Sequence, residues 1–590
     1  MPSLALHGLQ GRPHRLPTRA STKVPGLPDR EDMVGWYDPP QLLRTGIDIV
    51  VSTLFARNAD RRLTDAITTR KHRCFDYTTT LVQGTEAPRR EIVVDFVADT
   101  GDGWNSTYAV AYWVSRPHLA LRDGSGQTHD TRRGDVLVFG GDEVYPAGSP
   151  RRYERRLVAP YAAALEWTNP PHPDLFAIPG NHDWYDNLVA FSRRFATRQW
   201  LGGWRTRQER SYFALRLPHG WWLVGSDVQL ESDLDEPQVN FFRDVAREME
   251  PQDRVILCTA EPHWVYEHER SHPRKHDKAL TNVGFLEEKV FGRRIKVFLS
   301  GDQHHYRRHA LPDGSVHKIT AGGGGAFLHP THGWREGALA GGFDLEHAFP
   351  AERESRLIAF RNLLFPILDW KFGVLTGSVS LLLYLTLAAT LASWTGGSPR
   401  SLLASVASSI PVNAGAVLWI VVVLCGFLLF TDTSSRAYRY VGGFTHGLVQ
   451  LVTAFLTACA VRHAMTRWQA LPSWIAPYAA PAIQFAIGWV TGSFIMGLYL
   501  FVSLNVFHRH RNEAFSSLKI EDYKNFLRLS IDEEGNLWIY PIGITRVPRR
   551  WREVEGATKY DPKLEPAPDD AGTPPHLIEG PIRVGRGAVP

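Results

Sequence analysis

Between Glu91 and His332 the sequence repeats one pattern: a short apolar run closes on a cluster of Gly, Asp, Asn and His. Ile92–Ala98 (IVVDFVA) runs into Asp99-Thr100-Gly101-Asp102, and Asp135–Phe139 into Gly140-Gly141-Asp142-Glu143-Val144-Tyr145. Leu175–Pro179 leads to Gly180-Asn181-His182-Asp183, Arg254–Thr259 to Glu261-Pro262-His263, and Ile295–Ser300 to Gly301-Asp302-Gln303-His304-His305. Carboxylates, an amide and imidazoles are donors for Fe, Mn, Zn or Mg, and no thiolate is present to select a softer metal. Singly these signals are weak. An Asp at a strand end is most often a turn former, and a lone His263 is more often a satisfied histidine than a ligand. Gly-Asn-His-Asp is rarer, because burying those three polar side chains without partners costs several kcal/mol. The ordered set of five motifs carries the reading.

Apolar runs of this length, ending in Gly and Asp, are the pattern of buried strands with a site at their carboxyl edge, where open α/β sheets bind ligands. The glycines let the backbone turn sharply and approach a ligand. In order and content the motifs resemble the calcineurin-like metallophosphoesterase superfamily, in its purple acid phosphatase style, over roughly Glu91 to His332.

The resemblance implies an α/β fold: a β-sandwich flanked by helices (α/β/β/α) over residues 91–345. It also implies two divalent or trivalent metal ions. Carried over by position, Asp142 bridges the metals, Asp99 and His304 hold the first, and Asn181, His263 and Asp302 hold the second. His182 is then the acid that protonates the leaving oxygen, oriented by Asp183. Two cations about 3.5–4 Å apart lower the pKa of a shared water and clamp the phosphoryl oxygens of an in-line displacement. Gly101 stands where many members have His, as in the purple acid phosphatase style. That style adds a tyrosine ligand three residues after the bridging Asp, where Tyr145 sits; the other reading of Tyr145 is a packed aromatic with a bonded hydroxyl. Asp302 replaces the usual first His of the last motif, which hardens the second site or leaves it three-coordinate. Gly322–Gly325 with His329 and His332 reads as a tight loop, or as backbone and imidazoles lining the pocket together with His305.

From Phe372 to Phe507 only six residues in 136 are charged, against about thirty at the chain-wide 22%. Four apolar runs there, near Phe372–Trp394, Pro411–Phe430, Gly442–Val461 and Ala482–Phe507, reach the length of a bilayer span. Basic residues flank the first and last spans and fall between the second and third, so the positive-inside rule puts both large flanks in the cytoplasm. Residues 1–30 read as a flexible lead without an apolar signal region, and 31–90 as an extension of unassigned role, in which Gly46–Ala56 is too short to span. Residues 346–371 read as a linker. Residues 508–552 read as a cytoplasmic segment with a hairpin over Asn525–Ile544, and 553–590, with seven prolines, as a disordered tail. Arg546–Arg552 holds four arginines around Trp551, a candidate patch for anionic inner-leaflet lipids.

The net charge of +5 over 590 residues gives no case for a nucleic-acid partner. Four scattered cysteines support neither a disulfide framework nor a zinc knuckle. The expectation is a multi-pass plasma- or inner-membrane phosphoesterase acting on a phosphate mono- or diester, with a lipid-linked substrate favoured by location. The alternative, prompted by Asp302, is a non-catalytic metal- or phosphate-binding membrane sensor or scaffold.

Overall fold

A strand with every side chain buried needs cover on both of its faces. The computed structural model describes residues 30–44, 74–82, 85–228, 234–270, 282–333, 338–394, 396–431, 435–467, 472 and 474–585. In it Ile92–Val97 (β1), Val136–Phe139 (β2) and Asp174–Ala177 (β3) are buried throughout and lie side by side in parallel. A second sheet is built from Phe213–Arg216 (β4), Trp221–Gly225 (β5), Arg254–Thr259 (β6), Ile295–Ser300 (β7), Tyr306–Ala310 (β8), His317–Ala321 (β9) and Phe343–Phe349 (β10), in the order β4-β5-β6-β7-β9-β8-β10.

Three cores give the layering. Val97, Tyr108, Phe139 and Tyr161 pack between the first sheet and the helices Trp104–Val114 and Ala159–Ala164. Phe96, Val138, Ile256 and Leu299 fill the space between the sheets. Trp222, Phe242, Leu257 and Phe298 pack the second sheet against the helix Glu236–Glu248. Helix, sheet, sheet, helix is the layer order expected from the motifs.

The first sheet is completed from the far end of the chain. Lys524–Ile531 (β11) pairs antiparallel with β1, and Leu537–Ile544 (β12) with β11, which is the hairpin read at 525–544. Asp95 and Arg528 close the β1–β11 seam as a buried bidentate pair, Nε to Oδ1 at 2.7 Å and Nη2 to Oδ2 at 3.1 Å.

The expectation of a disordered tail is wrong for residues 553–585. His576–Leu577 (β13) and Ile582–Val584 (β14) both pair with β12. Prolines between such short edge strands remove no ladder hydrogen bond, so the composition misleads. Glu579 accepts from Arg308 Nε (2.9 Å) and Nη2 (2.6 Å) and from the Tyr306 hydroxyl (2.5 Å). Glu579→Ala would leave Arg308, 11% exposed, with only the longer contacts to Glu346 (3.9 Å) and His317 Nδ1 (3.4 Å). The expected cost is about 1–3 kcal/mol, read as a lowered melting temperature, with Glu579→Gln losing less.

Because β10 ends at Phe349 and β11 begins at Lys524, the helical region is an insertion into the two-sheet domain, not a module appended to it. Two helices, Arg436–Arg467 and Pro477–Phe507, are long and apolar enough to cross a membrane. Two bent pairs bring the number to four if each is one span: Glu352–Leu368 with Phe372–Thr386 (61°), and Pro399–Val412 with Ala414–Phe430 (86°). The first expected span therefore differs from an unbroken Phe372–Trp394, since its helix is interrupted at Leu387. Leu429, Val441, Val490 and Val506 point outward, each more than half exposed.

The arginine-rich run also differs from expectation. Arg546 meets Asp570 (3.0 Å), Arg549 meets Glu521 (2.8 Å) and Asp522 (2.9 Å), Arg550 meets Asp569 (2.9 Å) and Arg552 meets Glu565 (2.5 Å). Trp551 is buried against Tyr108. A lipid headgroup there would compete with carboxylates from sequence-distant segments, so the run is no free cationic patch. Most of the expected N-terminal lead, residues 1–29, and all of Gly46–Ala56 lie outside the described residues.

Candidate active site

Three aspartates end three parallel strands in the same way. Asp99, Asp142 and Asp302 follow β1, β2 and β7 with positive φ of 56°, 54° and 65°. Asp tolerates this left-handed conformation better than most residues, and clusters of it mark functional turns. The first two loops are tied together, Asp99 N–H to Gly141 O at 2.9 Å and Thr100 N–H to Asp142 O at 3.0 Å. The Asp302 N–H donates to both Asp99 oxygens at 3.0 and 2.8 Å, and the His182 N–H to Asp142 Oδ1 at 2.8 Å. Gly180 is dictated by this packing: a Cβ there would lie 2.0 Å from Asp142 Oδ1.

The Tyr145 hydroxyl sits at the meeting point. It lies 3.1 Å from Asp99 Oδ1, 3.3 Å from Asp142 Oδ2 and 3.0 Å from His304 Nε2. His304 Nδ1 is 2.7 Å from Phe327 O. A carbonyl only accepts, so Nδ1 carries the proton and Nε2 turns its lone pair to the site. His329 stacks on the His304 ring at 3.9 Å.

The electrostatics of this group point to a missing positive charge. Burial first, then Asp142 and Asp302, push the Asp99 carboxyl well above the usual range. Burial, then Asp183 and Asp302, do the same to Asp142, and burial raises Asp302. Burial also pushes His304 down, leaving it neutral. Among the described residues, the charges that raise these carboxylates are those of the neighbouring aspartates. Donors sharing a cation at about 2.1 Å stand roughly 3 Å apart, and the spacings around Tyr145 match that. The donor types of Asp99, Asp142, Tyr145 and His304 suit a hard cation, but among the described residues no group of three or more His, Cys, Asp and Glu side chains is arranged to hold a metal ion.

The other expected ligands are not drawn into the same group. Asn181 donates from Nδ2 to the Tyr185 hydroxyl at 3.3 Å, and Asp302 Oδ2 accepts from the Tyr266 hydroxyl. His263 packs on Trp264 and Phe298, with its Nδ1 unpartnered among the described residues. Burial and Lys318 push its pKa down to about 3.

Residues 92–306 match the family model for calcineurin-like phosphoesterases. The chain carries a calcineurin-like phosphoesterase domain. No curated protein matches the chain. Among solved structures, one similar chain is "GAP50 the anchor in the inner membrane complex of Plasmodium", at 11% identity and a TM-score of 0.30, covering 43% of this chain and 76% of that one. Another is the purple acid phosphatase PPD1 from yellow lupin (Lupinus luteus) seeds, at 13% identity and a TM-score of 0.24, covering 40% of this chain and 45% of that one.

Within the phosphoesterase domain two expected roles change. Asp183 does not orient His182. Its carboxylate accepts from Gly180 N–H (2.9 Å), Glu143 N–H (3.2 Å) and the Tyr153 hydroxyl, bracing the loop. His182 Nδ1 is held instead by the Pro146 carbonyl at 2.7 Å. His332 is not a pocket residue: its Nδ1 meets Ser355 Oγ at 2.7 Å and its ring faces Phe515, at the junction with the helices. His305 is held by the backbone of His329. The four glycines are a close-packed loop; a Cβ at Gly322 would lie 2.3 Å from Asp99 Oδ2.

Sequence reasoning missed three contributors. Trp36 packs on His182 at 5.9 Å and on Phe327 at 6.3 Å, while Val34 N–H donates to Asp102 Oδ1 at 2.8 Å. Part of the unassigned extension is therefore a wall of the site. Tyr266 restrains Asp302. Glu143 is buried beside Asp183 with both carboxyl oxygens unpartnered among the described residues, and burial pushes its pKa well up. An aromatic next to Val-Gly-Trp-Tyr carries no local signal of such a role. Gly180→Ala is expected to lower hydrolysis at least about a hundredfold while leaving the circular dichroism of the purified chain unchanged, because the methyl displaces the Asp142 carboxylate.

Proposed function

We propose that the chain is a membrane-anchored, metal-dependent phosphoesterase that hydrolyses a phosphate mono- or diester, its site formed by the loops after β1, β2, β3 and β7. The convergence of Asp99, Asp142 and His304 on the Tyr145 hydroxyl carries this reading. Asp99, Asp142, Tyr145 and His304 would hold one cation, and Asn181, His263 and Asp302 would be the donors for a second. When bound, such ions supply Lewis acidity toward a phosphoryl oxygen and lower the pKa of water.

The remaining steps belong to the chain. Asp142 and Asp99 fix the loops and set the charge of the floor. His182 presents Nε2, because its Nδ1–H is spent on Pro146, and burial pulls its pKa down to about 4. The charge of an arriving phosphate raises that affinity, so Nε2 takes up a proton with the substrate and delivers it to the departing oxygen. Trp36 covers one side of this imidazole.

The helices anchor the domain. The inserted region starts and ends on the same two-sheet domain, so the number of crossings is even, and four spans with the domain in the cytoplasm satisfy both this and the distribution of basic residues.

The experiment is metal analysis with turnover on purified full-length protein. Two tightly bound ions per chain and hydrolysis of para-nitrophenyl phosphate or its bis ester are expected. The Tyr266 hydroxyl on Asp302 Oδ2 favours the second reading, a binding module; one ion or none with no turnover would establish it.

A further inference from the structure

Away from the phosphoesterase site, the inserted helices line a half-open cavity of about 440 Å³, within the range of pockets that hold small ligands. Val379, Trp419 and Gly426 are among its lining residues, and so are Tyr37 and Leu42 of the N-terminal segment. Its one amide side chain, Gln450, is engaged with Gly492 O at 2.9 Å. The lining has no charged side chain and is mostly apolar, with hydroxyls from Thr376, Ser378, Ser380 and Thr491, which suits a hydrocarbon occupant.

The position of the cavity relative to the site narrows the choice. Tyr37 lines the cavity and packs edge-on to Phe365 and Phe372 at 5.1 and 5.7 Å. Trp36, the preceding residue, packs on His182. Neighbouring Cα atoms lie about 3.8 Å apart, so two consecutive residues wall the apolar cavity and the proton-handling imidazole. Tyr37 is held there by its hydroxyl, which donates to Glu513 O at 3.1 Å, and Asp38 by Lys371 Nζ at 2.7 Å.

We propose that this cavity seats the hydrocarbon chain of an amphiphilic phosphate ester whose phosphate enters the site at His182 and Tyr145. The proposal rests on the hydrolase reading and names its substrate class: a single-phosphate ester of a long-chain alcohol. In the reaction the oxygen of water bonds to phosphorus and the bond between phosphorus and the ester oxygen breaks. That oxygen gains a proton from His182, the water's proton is given up in exchange, and the alcohol and inorganic phosphate leave. A chain already in a bilayer gains little from a second apolar environment. The cavity therefore acts by placing the phosphate, an effect on the transition state.

Gly426 makes the test clean. A Cβ at this helical, cavity-lining position meets no atom within 4 Å, so a larger side chain starts in open space, and Gly426→Phe is the variant chosen to occupy the cavity. Full-length protein in phosphatidylcholine nanodiscs is expected to hydrolyse hexadecyl phosphate with kcat/KM at least about 100-fold above butyl phosphate. Gly426→Phe, and independently Val379→Trp, should reduce that ratio to below about 5 with butyl phosphate turnover unchanged. Binding of labelled hexadecyl phosphate should weaken at least about tenfold in both variants and exceed binding of hexadecanol. An unchanged chain-length ratio in both variants overturns the proposal. So does equal binding of hexadecanol, which would make the cavity a seat for a bilayer lipid unconnected to the site. If no ester is turned over but hexadecyl phosphate binds the wild type in preference to hexadecanol and is lost in the variants, the hydrolase reading fails and the cavity assignment stands.

Discussion

Asp142→Asn should lower kcat/KM for phosphate-ester hydrolysis by a factor on the order of 10³ while leaving the protein at least as stable as before. The two halves of this expectation share one cause. Asp142 lies buried with Asp183 and Asp302 close enough to raise its proton affinity, so its charge is unfavourable to the folded chain and useful only to a bound cation. Asn keeps the shape, accepts the left-handed backbone at φ 54° about as readily as Asp, and retains an oxygen for the His182 N–H. What disappears is the negative charge facing the Tyr145 hydroxyl 3.3 Å away. Activity, metal content and melting temperature measured on the same preparation decide the matter. Unchanged turnover would remove Asp142 from the site, and lost turnover with a collapsed melting temperature would make its role structural.

Arg528→Met is expected to destabilise the phosphoesterase domain by about 3–5 kcal/mol. Arg528 and Asp95 side chains are 0% and 2% exposed. Arg528 also donates to Thr131 Oγ1 at 3.2 Å, and Asp95 accepts the Gly134 N–H at 2.9 Å. Removing the guanidinium leaves a carboxylate buried with one backbone donor. For a two-sheet domain of roughly 300 residues that cost corresponds to a drop in melting temperature of roughly 5–8 °C. Replacing both partners, Asp95→Leu with Arg528→Met, should recover much of the loss, because the desolvation penalty goes with the charges. A shift below about 2 °C for the single variant would show that the seam is held by the β1–β11 ladder and its apolar side chains alone.

The strands and the site were legible to different depths. A buried strand announces itself through its own residues, as do the glycines and aspartates at its end, so the loops at Asp99, Asp142, Gly180 and Asp302 were readable one at a time. Tyr145 was readable as a spacing but not as a location, because its role depends on three partners, one of them 159 residues away. Asp183 misled: the resemblance implied that it orients His182, but successive side chains in the short helical turn Asn181–Trp184 do not face one another. The segment around Trp36 and Tyr37 had no periodicity to read, and only packing shows that it separates the site from the cavity.

The sequence by itself determined which segments are apolar enough for sheet cores and for membrane crossing, and which polar residues terminate the strands, since these follow from periodicity and composition over about ten to twenty residues. Only the tertiary structure decided that the strand after the last long helix returns to β1, that the proline-rich end closes the same sheet, and that the helices are an insertion. The return to β1 depends on a pairing across more than 400 residues, and the closing of the sheet on edge strands of two and three residues; in neither case does one partner's local pattern specify the other. They are selected by the joint burial of surfaces such as the Asp95–Arg528 seam, which exist only once both strands are in place.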